Sequence, residues 1–184
     1  MVVRLRKEDI EGPLKAEMEG LAETRVAECY QCGKCSAGCP VASEMDMLPN
    51  RVMRLAQLGQ WDEVLGSKTI WICASCVTCT ARCPREVDIA AVMDALRQMS
   101  LERGKANKRA REVTAFYRAF LDTVRAFGRM AEFAMVGDYK TRSGKFFADI
   151  FVAPKMLQRG KLHFLPKTIH GRKEVREIFR KCGY

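Results

Sequence analysis

From Pro49 onward the apolar residues fall three and four apart: Val52, Met53, Leu55, Ala56 and Leu58, with Gly59 closing the run. That period sets them on one helical face, and Pro49 suits a first helical turn. A shorter turn with Trp61, Val64 and Leu65 follows, up to Gly66. Past Pro84 the same spacing returns in Ile89, Val92, Met93, Leu96 and Met99. Asp88 is placed to cap that helix and Gly104 to stop it. No alternating, β-branched pattern appears in this part of the chain, so no hairpin is expected. A longer stripe follows, of Val113, Phe116, Tyr117, Phe120, Leu121, Val124, Phe127 and Met130. Its Met and aromatic content reads as core or helix-packing surface, not as a cofactor box. Farther on, Pro154, Gly160, Pro166 and Gly171 break the tail into short segments. The pattern predicts an all-α chain.

Around the first of these helices one phrase occurs twice, C-x2-C-x2-C-x3-C-P. It runs through Cys29, Cys32, Cys35 and Cys39, and again through Cys73, Cys76, Cys79 and Cys83, every step being 44 residues. Only Cys182 lies outside the two copies. This is an internal repeat in which the chemistry-bearing positions are kept and most others differ.

Three cysteines two residues apart wrap a short loop, so their thiolates converge on one object. Pro40 and Pro84 fix φ after the fourth cysteine and turn the chain away. The spacing is that of [4Fe–4S] ligation in two-cluster ferredoxins, where the fourth cysteine of each run serves the other cluster. Applied here, cluster one takes Cys29, Cys32, Cys35 and Cys83, and cluster two takes Cys73, Cys76, Cys79 and Cys39. That exchange explains why the phrase occurs twice. Structural zinc sites usually come as two separated cysteine pairs, a poor match to these triplets. Neither run holds a histidine, which excludes a Rieske centre. Small residues fill the loops: Gly33, Ser36, Ala37 and Gly38 in one, Ala74, Ser75, Thr78, Thr80 and Ala81 in the other. Little bulk there lets backbone N–H groups approach the sulfurs. Trp71, Ile72 and Val77 read as plain core in preference to a water shield.

Composition adds two points. No apolar run approaches the roughly 18 residues of a membrane span, and the N-terminus lacks an apolar signal region. A cytoplasmic location is therefore expected, where nine cysteines imply metal binding and not disulfides. The net charge of +10 is uneven: residues 1–104 carry −2 and residues 105–184 carry +12. The basic residues are scattered through a helical pattern, which favours a solvated face with partner contacts over nucleic-acid binding. His163, His170 and Cys182 stand alone and read as structural. The chain divides into an N-terminal arm, 1–24, a two-cluster domain, 25–104, and a basic helical extension for docking in a complex, 105–184.

CYQCGKCSAGCP, WICASCVTCTARCPREVDI and the helical segment between them carry a resemblance across residues 25–103. The chain resembles the C subunit of the soluble heterodisulfide reductase of methanogenic archaea. The tail fits in length and in PKMLQRGKLHFLP and EIFRK, less specifically. The cysteine runs are also similar to the α-helical ferredoxin domains of succinate and glycerol-3-phosphate dehydrogenase iron–sulfur subunits. The resemblance implies an α-helical ferredoxin domain with two [4Fe–4S] clusters, acting as a wire. Electrons would pass singly from the flavin-bearing A subunit to the B subunit, which reduces the mixed disulfide of coenzymes M and B. A hydrogenase or formate dehydrogenase would stand upstream. The chain itself contains no G-x-G-x-x-G and no adjacent Cys-Cys pair, so no substrate site is expected on it. A ferredoxin-like component of another dehydrogenase, acting on glycolate, glycerol-3-phosphate or sulfur compounds, is the alternative.

Overall fold

A computed structural model describes residues 7–107, 110–144, 146, 153–159 and 168–183, and the described residues contain helices and no strand. Eight helices precede residue 103: α1 (Lys7–Ile10), α2 (Pro13–Ala22), α3 (Lys34–Ala37), α4 (Pro49–Gln57), α5 (Trp61–Leu65), α6 (Thr69–Ile72), α7 (Thr78–Ala81) and α8 (Ile89–Glu102). Four follow: α9 (Ala110–Phe127), α10 (Glu132–Ser143), α11 (Ala153–Gln158) and α12 (Arg172–Lys181). The chain forms two compact units, 1–110 and 111–184.

In the first unit the periodicity holds. α4 starts on Pro49 and buries Val52, Met53 and Ala56. The Asp88 carboxylate accepts a 2.9 Å hydrogen bond from the Ala91 N–H, capping α8. That helix buries Ile89, Val92, Met93, Leu96 and Met99, and Gly104 follows its end at φ +62°. Each such aliphatic side chain taken from water stabilises the unit by about 1.5–3 kcal/mol. Residues 13–22, expected as part of an arm, form α2 and place Met18 and Ala22 in the core.

The 44-residue repeat extends from the cysteines into the backbone. α3 and α7 are single helical turns in register, 34 with 78 and 37 with 81. A 3-10 turn at Val26–Glu28 leads into the first cysteine loop, and α6 leads into the second. The packing crosses between the copies. α2, before the first loop, lies against α8, after the second; α5, before the second loop, lies against α4, after the first. Between them α3 packs on α7. Each copy's leading helix thus rests on the other copy's trailing one. The start of the chain is fixed here as well. Gly59 sits at φ +68°, where a Cβ would run into the carbonyl of Asp9, and the Trp61 indole N–H donates to that same carbonyl at 3.1 Å.

The second unit departs from its sequence pattern. Beyond Ala110 at its start, α9 buries Ala115, Ala119 and Thr123, four residues apart, whereas Phe116 is 42% and Tyr117 49% exposed. The expected apolar stripe thus does not turn inward as a whole. Period locates a helix, but small residues permit the closest approach of a neighbour and took the buried side. Phe116 instead meets the rings of Tyr117 and Tyr139 edge-on, with centroids 6.0 and 6.1 Å apart. Pro154 lies in the first turn of α11 and begins a segment instead of breaking one. His163, Gly160 and Pro166 lie outside the described residues; His170 and Cys182 are exposed. Among the described residues no helix is long and apolar enough to cross a membrane.

Candidate iron–sulfur centre

Both cysteine loops are shaped by left-handed residues at equivalent positions. Gln31 and Ser75 precede the second cysteine, at φ +64° and +48°; Gly33 and Val77 follow it, at +76° and +62°. Two reversals of backbone hand in three residues bend each loop around its thiols. Gly33 accepts this conformation without strain; Val77, β-branched, does not. The helical turns α3 and α7 then bring Cys35 and Cys79 inward, so that Cys35 is buried and Cys79 half-buried, while Cys32 and Cys76 are exposed. Burial pushes the thiols of Cys35 and Cys79 above the ordinary range. The Thr78 hydroxyl, 3.4 Å from Cys76 Sγ, holds that thiol below it.

The fourth cysteines lie with the opposite triplets. A pocket is lined by Cys73, Cys76 and Cys79 of the second run and by Cys39 of the first. Pro40, Val41, Met45, Pro49, Val77, Ala90 and Met93 complete its apolar walls. Cys83 of the second run lies by the first loop: the Tyr30 phenol is pushed up by burial and then by Cys32, with Cys83 also acting on it. An ion pair pins this approach, since Arg85, two residues after Cys83, meets the Glu28 carboxylate at 2.5 Å, one residue before Cys29. Trp71 is buried, as expected of core, but Val77 is half-exposed and lines the pocket.

Residues outside the cysteine phrases hold the loops in place. From α4 the Gln57 amide donates 2.8 Å hydrogen bonds to the carbonyls of both Val26 and Cys29. Glu19 of α2 accepts the Val26 N–H at 2.8 Å. The Asp46 carboxylate accepts from the N–H groups of Lys68 and Thr69, at 2.7 and 2.9 Å, at the start of α6. Burial raises the Asp46 carboxyl, but these bonds outweigh it and leave the group below its usual value. Arg97 donates to the Ser75 hydroxyl at 2.7 Å and pairs with Asp94. Spacing could not reveal these ties, because the partners lie as many as 31 residues apart in the chain and meet only in the fold.

Among the described residues no three thiol, imidazole or carboxylate groups converge on a point close enough for a single metal ion. Four thiols stand instead around an apolar pocket whose loops carry small side chains. That donor set suits a cuboid of iron and sulfide, whose corners are each held by one thiolate.

The family model described as the 4Fe-4S dicluster domain matches residues 25–87. This stretch, about a third of the chain, is similar to that dicluster domain. The match contains all eight clustered cysteines and ends before α8 begins. Among curated proteins, the chain is 35% identical over 120 residues to the iron–sulfur C subunit of the CoB–CoM heterodisulfide reductase of Methanopyrus kandleri, covering 61% of this chain and 62% of the relative. It is 34% identical over 107 residues to the second such C subunit of Methanocaldococcus jannaschii, covering 58% and 57%. With the C2 subunit of the H(2)/formate:CoB-CoM heterodisulfide,ferredoxin reductase of Methanococcus maripaludis the identity is 38% over 89 residues, 48% of this chain and 47% of that one. The matches thus span roughly half to three fifths of these relatives' lengths. The resemblance read from the cysteine runs is borne out, and so is the all-helical fold.

Proposed function

We propose that the chain is the iron–sulfur electron-transfer subunit of a CoB–CoM heterodisulfide reductase. It relays single electrons from the flavin-bearing A subunit to the disulfide-reducing B subunit. The pocket that gathers Cys39 with Cys73, Cys76 and Cys79 is the observation that supports this most directly. Cys29, Cys32, Cys35 and Cys83 would hold one [4Fe–4S] cluster, and Cys73, Cys76, Cys79 and Cys39 the other. When bound, each cluster supplies a one-electron couple. The chain's own residues set the conditions for it. Gln57 and Glu19 fix the backbone entering the first loop, Asp46 fixes the turn entering the second, and the apolar pocket walls limit water. Cys32 and Cys76 leave an exposed edge on each loop, one for entry and one for exit. Reduction of a disulfide needs two electrons, which two one-electron sites in series deliver in turn.

The test is anaerobic purification of the chain with its native partners. A flavoprotein and a protein rich in adjacent cysteine pairs are expected to co-purify, with about eight irons on this chain. Recovery with a different flavin dehydrogenase would move the reaction elsewhere and keep the wire.

A further inference from the structure

The 44-residue step pairs Gly38 with Arg82, the positions just before the fourth cysteine of each run. In the fold these two meet, where α3 packs on α7. The Arg82 side chain rests on the open α-carbon of Gly38: a methyl built there would lie 3.0 Å from the guanidinium carbon and closer still to Nη1. The Arg82 side chain is exposed, and among the described residues its guanidinium has no ion pair or hydrogen bond. The contact sits beside both candidate sites. Gly38 adjoins Cys39 and follows Cys35 by three residues; Arg82 adjoins Cys83 and follows Cys79 by three. Where two equivalent positions abut across the junction of the copies, there is room for one long side chain only. One copy has glycine there, and the other supplies a cation.

We infer that Arg82 is a charge placed between the two clusters to favour their reduction. The inference rests on the two-cluster reading above. A cubane with four thiolates carries roughly −2 when oxidised and about −3 after accepting one electron from an upstream one-electron donor. The second reduction occurs beside the first, so the two added charges repel. Arg82, next to one ligand of each cluster, offsets both added charges and lessens their repulsion. Unpaired with any carboxylate among the described residues, its charge is met by solvent alone, so the offset is partial and weakens with salt. Its position acts on both potentials together, in contrast to Arg97, which reaches the second loop alone through Ser75.

The test is a potentiometric titration of the cluster-loaded protein with dithionite, followed by EPR. Wild type, Arg82→Gln and Arg82→Lys are compared, with iron and sulfide content measured on each. Wild type without two four-iron signals would overturn the two-cluster reading itself. Given two signals, Arg82→Gln is expected to lower both midpoint potentials and to widen the gap between first and second reduction. Arg82→Lys, keeping the charge, should stay near wild type. Gly38→Ala serves as a second variant, since its Cβ displaces the guanidinium without removing it, and both potentials should fall. Unchanged potentials in Arg82→Gln and Gly38→Ala overturn the inference. So does loss of the clusters from both, which would make the contact structural only.

Discussion

Two residues in the cysteine loops differ in a way that spacing alone does not explain. Gly33 and Val77 occupy the same step of the repeat and the same left-handed conformation, yet one is glycine and the other β-branched. Holding such a residue in the left-handed region costs about 1–3 kcal/mol. Val77→Gly is therefore expected to raise the stability of the cluster-loaded protein by about 1 kcal/mol, and Gly33→Val to lower it by at least as much, in anaerobic thermal unfolding. The same Val77→Gly change opens the pocket wall, so its clusters should lose iron to a chelator faster than wild type despite the higher melting temperature. Crossed ligation is a second matter at this scale. Cys39→Ser should alter the EPR signal assigned to Cys73, Cys76 and Cys79; a loss confined to the cluster of the first triplet would show that the ligands do not cross. The Asp88 cap was legible in the sequence because its chemistry is local, within a few positions. The strain at Val77 was not, since hydrophobic character suggested core and backbone hand leaves no mark on composition.

Among the elements, single side chains tie each helix to the loop it supports. Gln57 is the plainest case, one amide serving two carbonyls on the backbone that enters the first loop. Gln57→Ala leaves both without that partner and is expected to cost about 1–3 kcal/mol, read from the shift in thermal unfolding, with the first cluster the more labile in chelator challenge. Asp46 does the corresponding work for α6. Its carboxyl lies below the usual value, so the native state binds the proton less readily than the unfolded chain. Its contribution is present above the ordinary carboxylate pKa and is lost as pH falls through the lowered value. Asp46→Asn should thus melt earlier than wild type at neutral pH, by about 1 kcal/mol, and the difference should close as the solution is made acid. Helix positions in the first unit were readable because burial on one face imposes the 3.6-residue period. On α9 the stripe, read as core or helix-packing surface, is mostly half-buried, while Ala115, Ala119 and Thr123, which contribute little hydrophobicity, are buried and left no mark in the pattern.

At the scale of the whole molecule the charge is divided as sharply as the cysteines are gathered. The basic excess lies in residues 105–184, and α12 there presents Arg172, Lys173, Arg176, Arg180 and Lys181 with no residue of the helix buried. A surface of that kind favours an acidic partner and acts over about 10 Å at ordinary ionic strength. Replacing Lys173, Arg176 and Arg180 with Gln is expected to weaken association with the proposed partner subunits and to flatten its dependence on salt, in titrations from about 50 to 300 mM. An unchanged salt dependence would remove α12 from the interface.

The crossing of the two copies also governs how the protein can be made. α2 needs α8, and α8 is complete only at Glu102. A nascent chain that has emerged as far as the first cysteine run therefore holds a set of reactive thiols with no fold to protect them. The fold that gathers those thiols can close only once Glu102 has emerged, a little past the middle of the chain, and until then they are open to oxygen or a stray metal.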